Sequence, residues 1–257
     1  MQPFSTFTPS ALTRIRVLAA DVDDTITKNG KLPPGTLECF EALDKAGVVV
    51  ALVTGRPAGW AQALATYLPA VKVAIGENGL VAFDGHGERK DLGPARGREF
   101  FAALAENSAR VRQAHALLVT PDDTFRIFER AFVRPASFDA SVLAASQKLV
   151  DPGFEVIASS IHIHVRPSGW GKAEGLLAAL QSIAPEACSA PDERILFVGD
   201  SSNDRPLFAK LRHTSVGVRN VVRFLDELGE DRPAFITEGE EASGFSEVVR
   251  ALCLRRA

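Results

Sequence analysis

The sequence has few cysteines, no long hydrophobic run and no block of charge of a single sign. Its three cysteines, Cys39, Cys188 and Cys253, are far apart in the 257-residue chain and lack a metal-ligand spacing, which disfavours a disulfide framework and a zinc site. The formal net charge is -3, so we expect no electrostatic affinity for nucleic acid. No segment approaches the roughly 20 apolar residues of a membrane span, and residues 1–10 do not resemble a secretion signal. These absences predict a soluble, cytoplasmic protein without a membrane or nucleic-acid partner, and they leave its oligomeric state open.

Short apolar segments alternate with helical segments over the first third of the chain. Residues 15–20, 48–53 and 71–75 are predicted strands, and residues 33–45 and 57–68 are predicted helices between them. Because strand-helix-strand units connect parallel strands by right-handed crossovers, the pattern predicts a parallel sheet covered by helices on both faces. The alternation returns near the C-terminus, with a helix at 172–183 and strands at 194–198, 214–218 and 234–237.

A middle segment, residues 85–168, breaks this alternation. It has a helical stretch at 98–116, followed by segments of alternating polarity at 124–133 and 154–165, a combination typical of a helix packed on antiparallel strands. Glycine and proline residues flank the segment, as is common at domain boundaries. We therefore predict an α/β protein with a doubly wound, mostly parallel, Rossmann-like sheet and an inserted mixed α/β cap domain. The predicted core comprises residues 1–84 and 169–257, and the predicted cap comprises residues 85–168.

Acidic residues follow the first predicted strand, at the position where ligands of open parallel sheets bind. Asp21, Asp23 and Asp24 stand there, and a crowd of carboxylates needs a counter-charge. Mg²⁺ suits this role because the hard cation prefers carboxylate and phosphate oxygens. Taken alone, the cluster is equally compatible with a solvated acidic turn.

A polar tripeptide, Thr54-Gly55-Arg56, ends the second predicted strand. It offers a hydroxyl group and backbone amides just before a helix N-terminus, where the helix dipole favours an anion such as phosphate. By itself this tripeptide is more often a simple turn. The prediction that this tripeptide binds phosphate depends on its place beside the acidic cluster.

A second acidic turn follows the predicted strand at 194–198. Asp200 and Asp204 stand four residues apart around this turn, and two acids so placed can hold one cation from the strand end and the helix start. A helix cap explains Asp204 but leaves Asp200 unexplained. Lys172 begins a predicted helix, where its charge opposes the helix dipole, and this indicates an anion nearby.

The ordered set of these motifs resembles that of the haloacid dehalogenase superfamily. The insert between the second and third motifs is similar to the large cap of the Cof-like subgroup, and so are Glu77-Asn78-Gly79 and the tail from Thr237 to Phe245. The resemblance implies a Mg²⁺-dependent phosphatase whose cap closes over a small phosphorylated metabolite. In chain order the motifs are Asp21-Val22-Asp23-Asp24-Thr25, then Thr54, then Lys172, then Gly199-Asp200 with Asn203-Asp204.

The resemblance also implies a role for each motif residue. Asp21 is the expected nucleophile, which forms an aspartyl phosphate, and Asp23 is the expected general acid and base. The expected metal ligands are Asp21, Asp23 through its backbone carbonyl, Asp200 and Asp204. The expected phosphoryl-binding groups are Thr54, the Gly55 amide, Lys172 and Asn203.

One motif position departs from the family, which commonly has glycine where this chain has Asp24. We expect the Asp24 carboxylate to point away from the phosphate, because an inward carboxylate repels the substrate. The expected substrate is a sugar phosphate, and short phosphorylated acids such as phosphoglycolate are the second choice. A phosphomutase of the same superfamily and a receiver-like phosphate-binding module are the alternatives, although the strand order and the insert disfavour the receiver.

Several other polar and aromatic residues carry weaker signals. His162 and His164 alternate along a predicted strand and so share a face, but no third metal ligand accompanies them, and this face could look towards the substrate. Arg56 and Arg134 are candidate anion contacts. We expect Trp60 to serve in packing.

Overall fold

The computed structural model describes residues 1–93 and 95–254 and contains two β-sheets. Nine strands form the large sheet in the order β1-β12-β11-β10-β2-β3-β4-β5-β6, and three form a small sheet in the order β7-β9-β8. The strands are β1 (Gln2–Pro3), β2 (Val17–Ala20), β3 (Val49–Val53), β4 (Val71–Gly76), β5 (Val81–Asp84), β6 (Arg89–Asp91), β7 (Arg130–Val133), β8 (Phe154–Ala158), β9 (His162–Pro167), β10 (Ile195–Gly199), β11 (Ser215–Gly217) and β12 (Phe235–Ile236).

Helices connect the strands of the large sheet and cover the small one. None of the helices formed by the described residues combines the length and the apolarity needed to cross a bilayer. The helices are α1 (Pro9–Leu12), α2 (Pro34–Lys45), α3 (Ala58–Tyr67), α4 (Arg98–His115), α5 (Ala140–Gln147), α6 (Lys172–Leu180), α7 (Pro185–Cys188), α8 (Pro191–Arg194), α9 (Arg205–Lys210), α10 (Leu225–Leu228) and α11 (Glu241–Cys253).

The central strands of the large sheet bury both of their faces. Leu18 and Ala20 of β2 pack into one apolar core with residues of α2, α3 and α11, whereas Val17 and Ala19 pack into a second core with residues of α6 and α9. The strand is paired in parallel with β10 on one side and with β3 on the other. Because side chains alternate across a strand, continuous apolar runs such as this one suit a sheet between two helical layers. The predicted doubly wound, mostly parallel α/β fold is confirmed.

A smaller layer, residues 98–167, sits on the large sheet and is called the cap below. Its three strands are antiparallel, and α4 and α5 pack on one face of its sheet. Ile163 and Val165 of β9 enter the apolar core under these helices. Because side chains alternate along β9, His162 and His164 lie on the opposite face, which is turned towards the large sheet.

Two segments differ from their predicted structure. Arg89–Asp91 lies in the segment 85–168 that we predict as the cap, but it forms β6 and pairs with β5 at the edge of the large sheet. The strand predicted at 124–133 is shortened to β7, because the backbone amides of residues 127–129 donate to the Glu77 carboxylate and not to a neighbouring strand. The other limits of the inserted domain stay a prediction.

Candidate active site

The carboxyl ends of β2 and β10 bring three acids together. Asp21 directly follows β2, and its amide donates to the Val198 carbonyl at 2.9 Å. Asp200 directly follows β10, and Asp204 ends the short 3₁₀ turn after it. One carboxylate oxygen of each acid lies within 4.8 Å of the others, and all three side chains are buried. The structure therefore assembles at one point acids that are remote in the sequence.

Asp200 is fixed by donors on both of its oxygens. The Thr25 hydroxyl donates to Oδ1 at 3.2 Å, and the Asn220 amide donates to Oδ2 at 3.3 Å. The same amide also donates to the Asp24 carbonyl at 3.0 Å. Asn220 thus holds the two acidic turns against each other, which places the Asp200 carboxylate beside Asp21.

Lys172 is the cation that lies nearest to these acids. Its Nζ is 3.0 Å from Asp21 Oδ1 and 2.7 Å from Asp204 Oδ1. Burial lowers the pKa of Lys172, but the two carboxylates raise it by more, so the pKa ends above its ordinary value and the ammonium group stays charged. The second oxygen of Asp204 accepts from the amides of Asp200 and Ser201 at 2.9 and 3.2 Å. Both oxygens of Asp204 are therefore occupied by protein donors.

The acids carry more negative charge than Lys172 can balance. Burial raises the pKa of Asp21 to about 7, an effect that Lys172 opposes and that Asp204 and Asp23 increase. Burial, Asp21 and Asp204 also raise the pKa of Asp200 well above its ordinary value. Buried carboxylates in excess over cations are a costly arrangement without a further positive charge. The carboxylates of Asp21, Asp200 and Asp204 form a donor set that fits Mg²⁺.

Asp23 lies next to this cluster, but its carboxylate is paired with Arg56. The guanidinium Nε and Nη2 each donate to one Asp23 oxygen at 2.7 Å. A third donor of the same group, Nη1, reaches Asp122 of the cap at 3.1 Å. Burial lowers the pKa of Arg56, yet the pairing with Asp23 and Asp122 raises it above its ordinary value. Arg56, a candidate anion contact from sequence, is thus an ion-pair link from Asp23 to the cap.

Three of the groups expected to bind phosphoryl oxygens, those of Thr54, Gly55 and Asn203, lie around Asn78. The Thr54 carbonyl accepts from the Asn78 amide at 3.0 Å, and Asn203 Nδ2 donates to Asn78 Oδ1 at 3.0 Å. A Cβ placed on Gly55 would come within 3.2 Å of the Asn78 side chain and of His164. Glycine at this position therefore leaves the loop backbone open to a close approach.

Comparison with protein families identifies the group to which this site belongs. A family model described as haloacid dehalogenase-like hydrolase matches residues 18–117, a stretch that holds Asp21, Asp23 and Thr54. The chain is similar to the haloacid dehalogenase-like hydrolases over this stretch. Lys172, Asp200 and Asp204 lie outside the matched stretch, but their contacts with Asp21 place them at the same strand ends.

Relatives in this superfamily agree in fold and in general activity. The chain is 26% identical to a phosphoglycolate phosphatase of Methanothermobacter thermautotrophicus, over 92% of this chain and 98% of the relative. It is 28% identical to one of Aeropyrum pernix, over 76% and 78%. A crystal structure from Thermoplasma acidophilum superposes with a TM-score of 0.71 at 23% identity, covering 93% of this chain and 98% of that one. Sucrose-phosphatase of Synechocystis superposes with a TM-score of 0.63 at 18% identity, covering 93% and 98%. These relatives are named as phosphatases, and the chain is similar to them over most of its length.

The departure at Asp24 has a conformational reason. Asp24 adopts a left-handed backbone with φ of 55°, a region that glycine enters freely and that Asp and Asn tolerate best among other residues. Its amide donates to the Thr27 hydroxyl at 2.9 Å. The position therefore requires a backbone shape that an aspartate can also adopt, and the outward direction of the Asp24 carboxylate stays a prediction.

Some residues of this site carry no signal in the sequence. Asn220 follows β11, the neighbour of β10 in the sheet, and belongs to no motif, so only the strand order places it beside Asp200. Arg126 and Glu129 of the cap lie close to the Gly55 loop, where Arg126 Nη1 donates to the Gly55 carbonyl at 2.8 Å. His164 belongs to this cap group and lies outside the acidic cluster, which is the one metal-ligand group found among residues 1–93 and 95–254.

Proposed function

We propose that the protein is a Mg²⁺-dependent phosphatase that hydrolyses small phosphate monoesters through an aspartyl phosphate on Asp21. The observation that carries the proposal is the buried contact of Asp21 with Lys172, beside Asp200 and Asp204. This arrangement supplies a nucleophilic carboxylate, a fixed positive charge and a set of metal ligands at one sheet edge. A site lined by apolar side chains would supply none of these three groups.

The proposed reaction has two steps. A carboxylate oxygen of Asp21 attacks phosphorus, the bond from phosphorus to the ester oxygen breaks, and Asp23 gives its proton to the leaving alcohol. Water then attacks the phosphorus of the aspartyl phosphate, and Asp23 takes a proton from this water. The bond from phosphorus to the Asp21 oxygen breaks, which releases inorganic phosphate and the Asp21 carboxylate. Lys172, Thr54 and Asn203 hold the phosphoryl oxygens and spread the charge that develops on them.

The proposed metal ligands are Asp21, the backbone carbonyl of Asp23, and Asp200, with Asp204 in support. When bound, Mg²⁺ supplies positive charge against the phosphoryl oxygens and lowers the repulsion between them and the carboxylates. Asp204 keeps the second turn in shape through the amides of Asp200 and Ser201. It also keeps Lys172 directed at Asp21.

Asp23 needs a conformational change before it can act as an acid. Both of its oxygens are held by Arg56, so neither faces a leaving group in this arrangement. Because Arg56 also binds Asp122 of the cap, a movement of the cap changes the hold on Asp23. We infer that substrate entry and cap movement release the Asp23 carboxylate for proton transfer.

The catalytic groups define only the phosphoryl half of the substrate. A sugar phosphate, which is our expectation from the sequence, satisfies them. So does phosphoglycolate, the substrate in the names of the relatives from Aeropyrum pernix and Methanothermobacter thermautotrophicus. Substrate choice therefore depends on cap residues that face the leaving alcohol.

A panel of phosphate monoesters assayed with Mg²⁺ tests the proposal. We expect repeated release of inorganic phosphate from p-nitrophenyl phosphate, and loss of this turnover when EDTA is added. Asp21→Asn removes the nucleophile and is expected to lower kcat by at least about 10³-fold. Asp44→Asn is a matched control, because Asp44 pairs with Lys72 on the exposed surface.

Three results of this panel would contradict the proposal. Retained turnover in Asp21→Asn removes Asp21 as the nucleophile. Formation of a phosphate isomer without release of phosphate assigns a phosphomutase. A single stoichiometric phosphorylation without turnover assigns a receiver-like module.

A further inference from the structure

Glu129 of the cap is a fully buried residue that the proposed chemistry does not use. Three polar groups converge on its carboxylate. His164 Nδ1 lies 2.9 Å from Oε1, Arg126 Nη1 donates to the same oxygen, and Asn78 Nδ2 donates to Oε2 at 3.0 Å. The first two groups belong to the cap, whereas Asn78 belongs to the core. The contact with Asn78 therefore exists only while the cap is seated on the core.

Glu129 is held in its charged form. Burial raises the pKa of Glu129, but His164 and Arg126 lower it by more, to about 2. Because an ionised carboxylate can only accept hydrogen bonds, all three groups around it act as donors. The side-chain amide of Asn78 must therefore present its nitrogen to Glu129, and this fixes which way round the amide stands.

The orientation of the Asn78 amide in turn fixes that of Asn203. Because Asn78 Nδ2 is used by Glu129, its Oδ1 is the atom that meets Asn203, and Asn203 Nδ2 donates to it at 3.0 Å. The oxygen of the Asn203 amide accepts from the Ser201 hydroxyl at 2.9 Å. An amide nitrogen carries two hydrogens, so Asn203 Nδ2 keeps one for a phosphoryl oxygen. The contacts from Glu129 through Asn78 to Asn203 are called the amide relay below.

The middle of the amide relay is held in place on two sides. The backbone amide of Asn78 donates to the Thr54 carbonyl at 3.0 Å, which fixes the residue to the large sheet. Glu77, the residue before it, accepts from the backbone amides of residues 127–129 of the cap. Asn78 and Asn203 are both buried, with 0% and 5% of their surface exposed. A buried amide that loses its partner is costly, so each member of the relay constrains the next.

Building on the proposed phosphatase activity, we propose that Glu129 is a positioning residue that keeps the Asn203 amide turned with its donor towards the phosphoryl group. The amide relay makes this orientation depend on the cap, since Glu129 reaches Asn78 only when the cap is seated. Without the relay, the Asn203 amide can turn over and present its carbonyl oxygen, which repels phosphoryl oxygens. Phosphate is therefore bound more tightly when the cap is seated, and bound phosphate favours the seated cap in return.

Glu129→Gln keeps the size of the side chain but ends its acceptor-only character. The NH₂ group of glutamine faces converging donors, and Arg126 can only donate, whereas the Asn78 amide can turn over and accept. We expect the dissociation constant of inorganic phosphate, measured by titration calorimetry with Mg²⁺ present, to rise by about tenfold or more. Glu106→Gln is the matched control in the cap, because Glu106 is exposed, and its dissociation constant should equal that of the wild type.

A double-mutant cycle shows whether Glu129 acts through Asn203. Asn203→Ala removes the donor itself and should raise the dissociation constant of phosphate by about tenfold or more. In this background Glu129→Gln has no amide left to turn at residue 203, so we expect it to change the dissociation constant by less than about twofold. An equally large effect of Glu129→Gln in both backgrounds would overturn the proposal, because Glu129 would then merely hold the cap.

Asn78→Gly interrupts the amide relay at its middle member. Asn78 has a φ of 52°, which glycine adopts readily, so the variant loses the side-chain amide without backbone strain. We expect the same loss of phosphate affinity as in Glu129→Gln and the same lack of additivity with Asn203→Ala. Asn29→Gly is the matched control, because Asn29 is exposed and has a φ of 50°. If circular dichroism shows that Glu129→Gln is unfolded, Asn78→Gly decides by the same criteria.

The possible results separate this proposal from the phosphatase assignment. Unchanged phosphate affinity in Glu129→Gln and Asn78→Gly, or no phosphate binding by the wild type, overturns the amide relay while p-nitrophenyl phosphate is still hydrolysed. No hydrolysis of p-nitrophenyl phosphate by the wild type overturns the phosphatase assignment itself. The calorimetric titrations still test the relay in that case, because they measure binding and need no turnover.

Discussion

Glu77 is a fully buried carboxylate that fastens the cap to the core. Its Oε1 accepts from the amides of Ala58 and Ile127 at 3.1 and 2.9 Å, and its Oε2 accepts from those of Phe128 and Glu129 at 2.6 and 3.2 Å. The first amide belongs to α3 of the core, and the other three belong to the cap. Removal of this charge therefore tests how the two layers are held together.

The surroundings of Glu77 disfavour its charged form. Burial and the charge of Glu129 raise the pKa of Glu77 from 4.5 to about 7, although the amides of Phe128 and Ile127 oppose this. At a pH between 4.5 and about 7, Glu77 keeps its proton in the folded protein but has lost it in the unfolded chain. The free energy of unfolding therefore falls as the pH rises through this window. At about 1.4 kcal/mol per pKa unit, the fall between pH 5 and pH 8 is about 2 to 3 kcal/mol.

Glu77→Gln has no titrating group at this position and isolates the effect. At pH 5 we expect the variant to be less stable than the wild type by about 2 kcal/mol or more, because the side-chain amide leaves buried backbone donors without an acceptor. Between pH 5 and pH 8 the difference in the free energy of unfolding between the two proteins should shift by about 2 to 3 kcal/mol in favour of the variant. Titrating groups that do not interact with Glu77 are common to both proteins and cancel in the difference.

Urea denaturation at pH 5, 6, 7 and 8 measures the difference. Trp170 is a suitable fluorescent reporter, since its Nε1 donates to the Gly79 carbonyl at 2.9 Å, two residues from Glu77. Glu88→Gln is the control, because Glu88 is exposed and should leave the pH dependence unchanged. A difference between Glu77→Gln and the wild type that stays constant with pH would refute the reasoning.

Two further substitutions test the packing of the core and the metal site. Gly79→Ala places a Cβ against the Gly171 carbonyl oxygen at a φ of +102°, so we expect the free energy of unfolding, measured with urea, to fall by about 3 kcal/mol or more. Gly35→Ala is the control, because no atom lies within 4 Å of its Cβ, and it should be neutral or slightly stabilising. Equal effects of the two substitutions would contradict the predicted clash. Asn220→Ala removes a donor to Asp200 and should raise the Mg²⁺ concentration for half-maximal phosphatase activity by about 10- to 100-fold. An unchanged Mg²⁺ requirement would show that Asn220 does not support the metal site.

The central part of the fold is predictable from sequence because its strands are buried on both faces. Continuous apolar runs at residues 17–20, 49–53 and 195–199 leave few other structures open, and the helices between them fix a parallel order. The edges are harder to predict. β1 has only two residues, which is too short for any periodic pattern. β5 follows a turn in which Glu77 and Asn78 have positive φ, a conformation that is common for asparagine but rare for glutamate.

The catalytic part of the site is likewise predictable where it lies at strand ends. Asp21 and Asp200 each follow a strand directly, and parallel strands end at one edge of the sheet. The positions of the site residues in the cap cannot be predicted in this way. Arg126 and His164 owe their place to burial against Gly55 and to the buried charge of Glu129, contacts between segments with no fixed spacing. Such contacts are visible only when the small sheet is placed on the large one.

Arg56 joins these two parts of the site, and its contacts show how they can depend on each other. It directly follows Thr54-Gly55, so its backbone is fixed by the large sheet, yet one of its donors is used by Asp122 of the cap. The same guanidinium holds both oxygens of Asp23. A movement of the cap that draws Asp122 away from Arg56 would leave the guanidinium paired with Asp23 alone. The position of the cap and the orientation of the Asp23 carboxylate are therefore physically connected through one side chain.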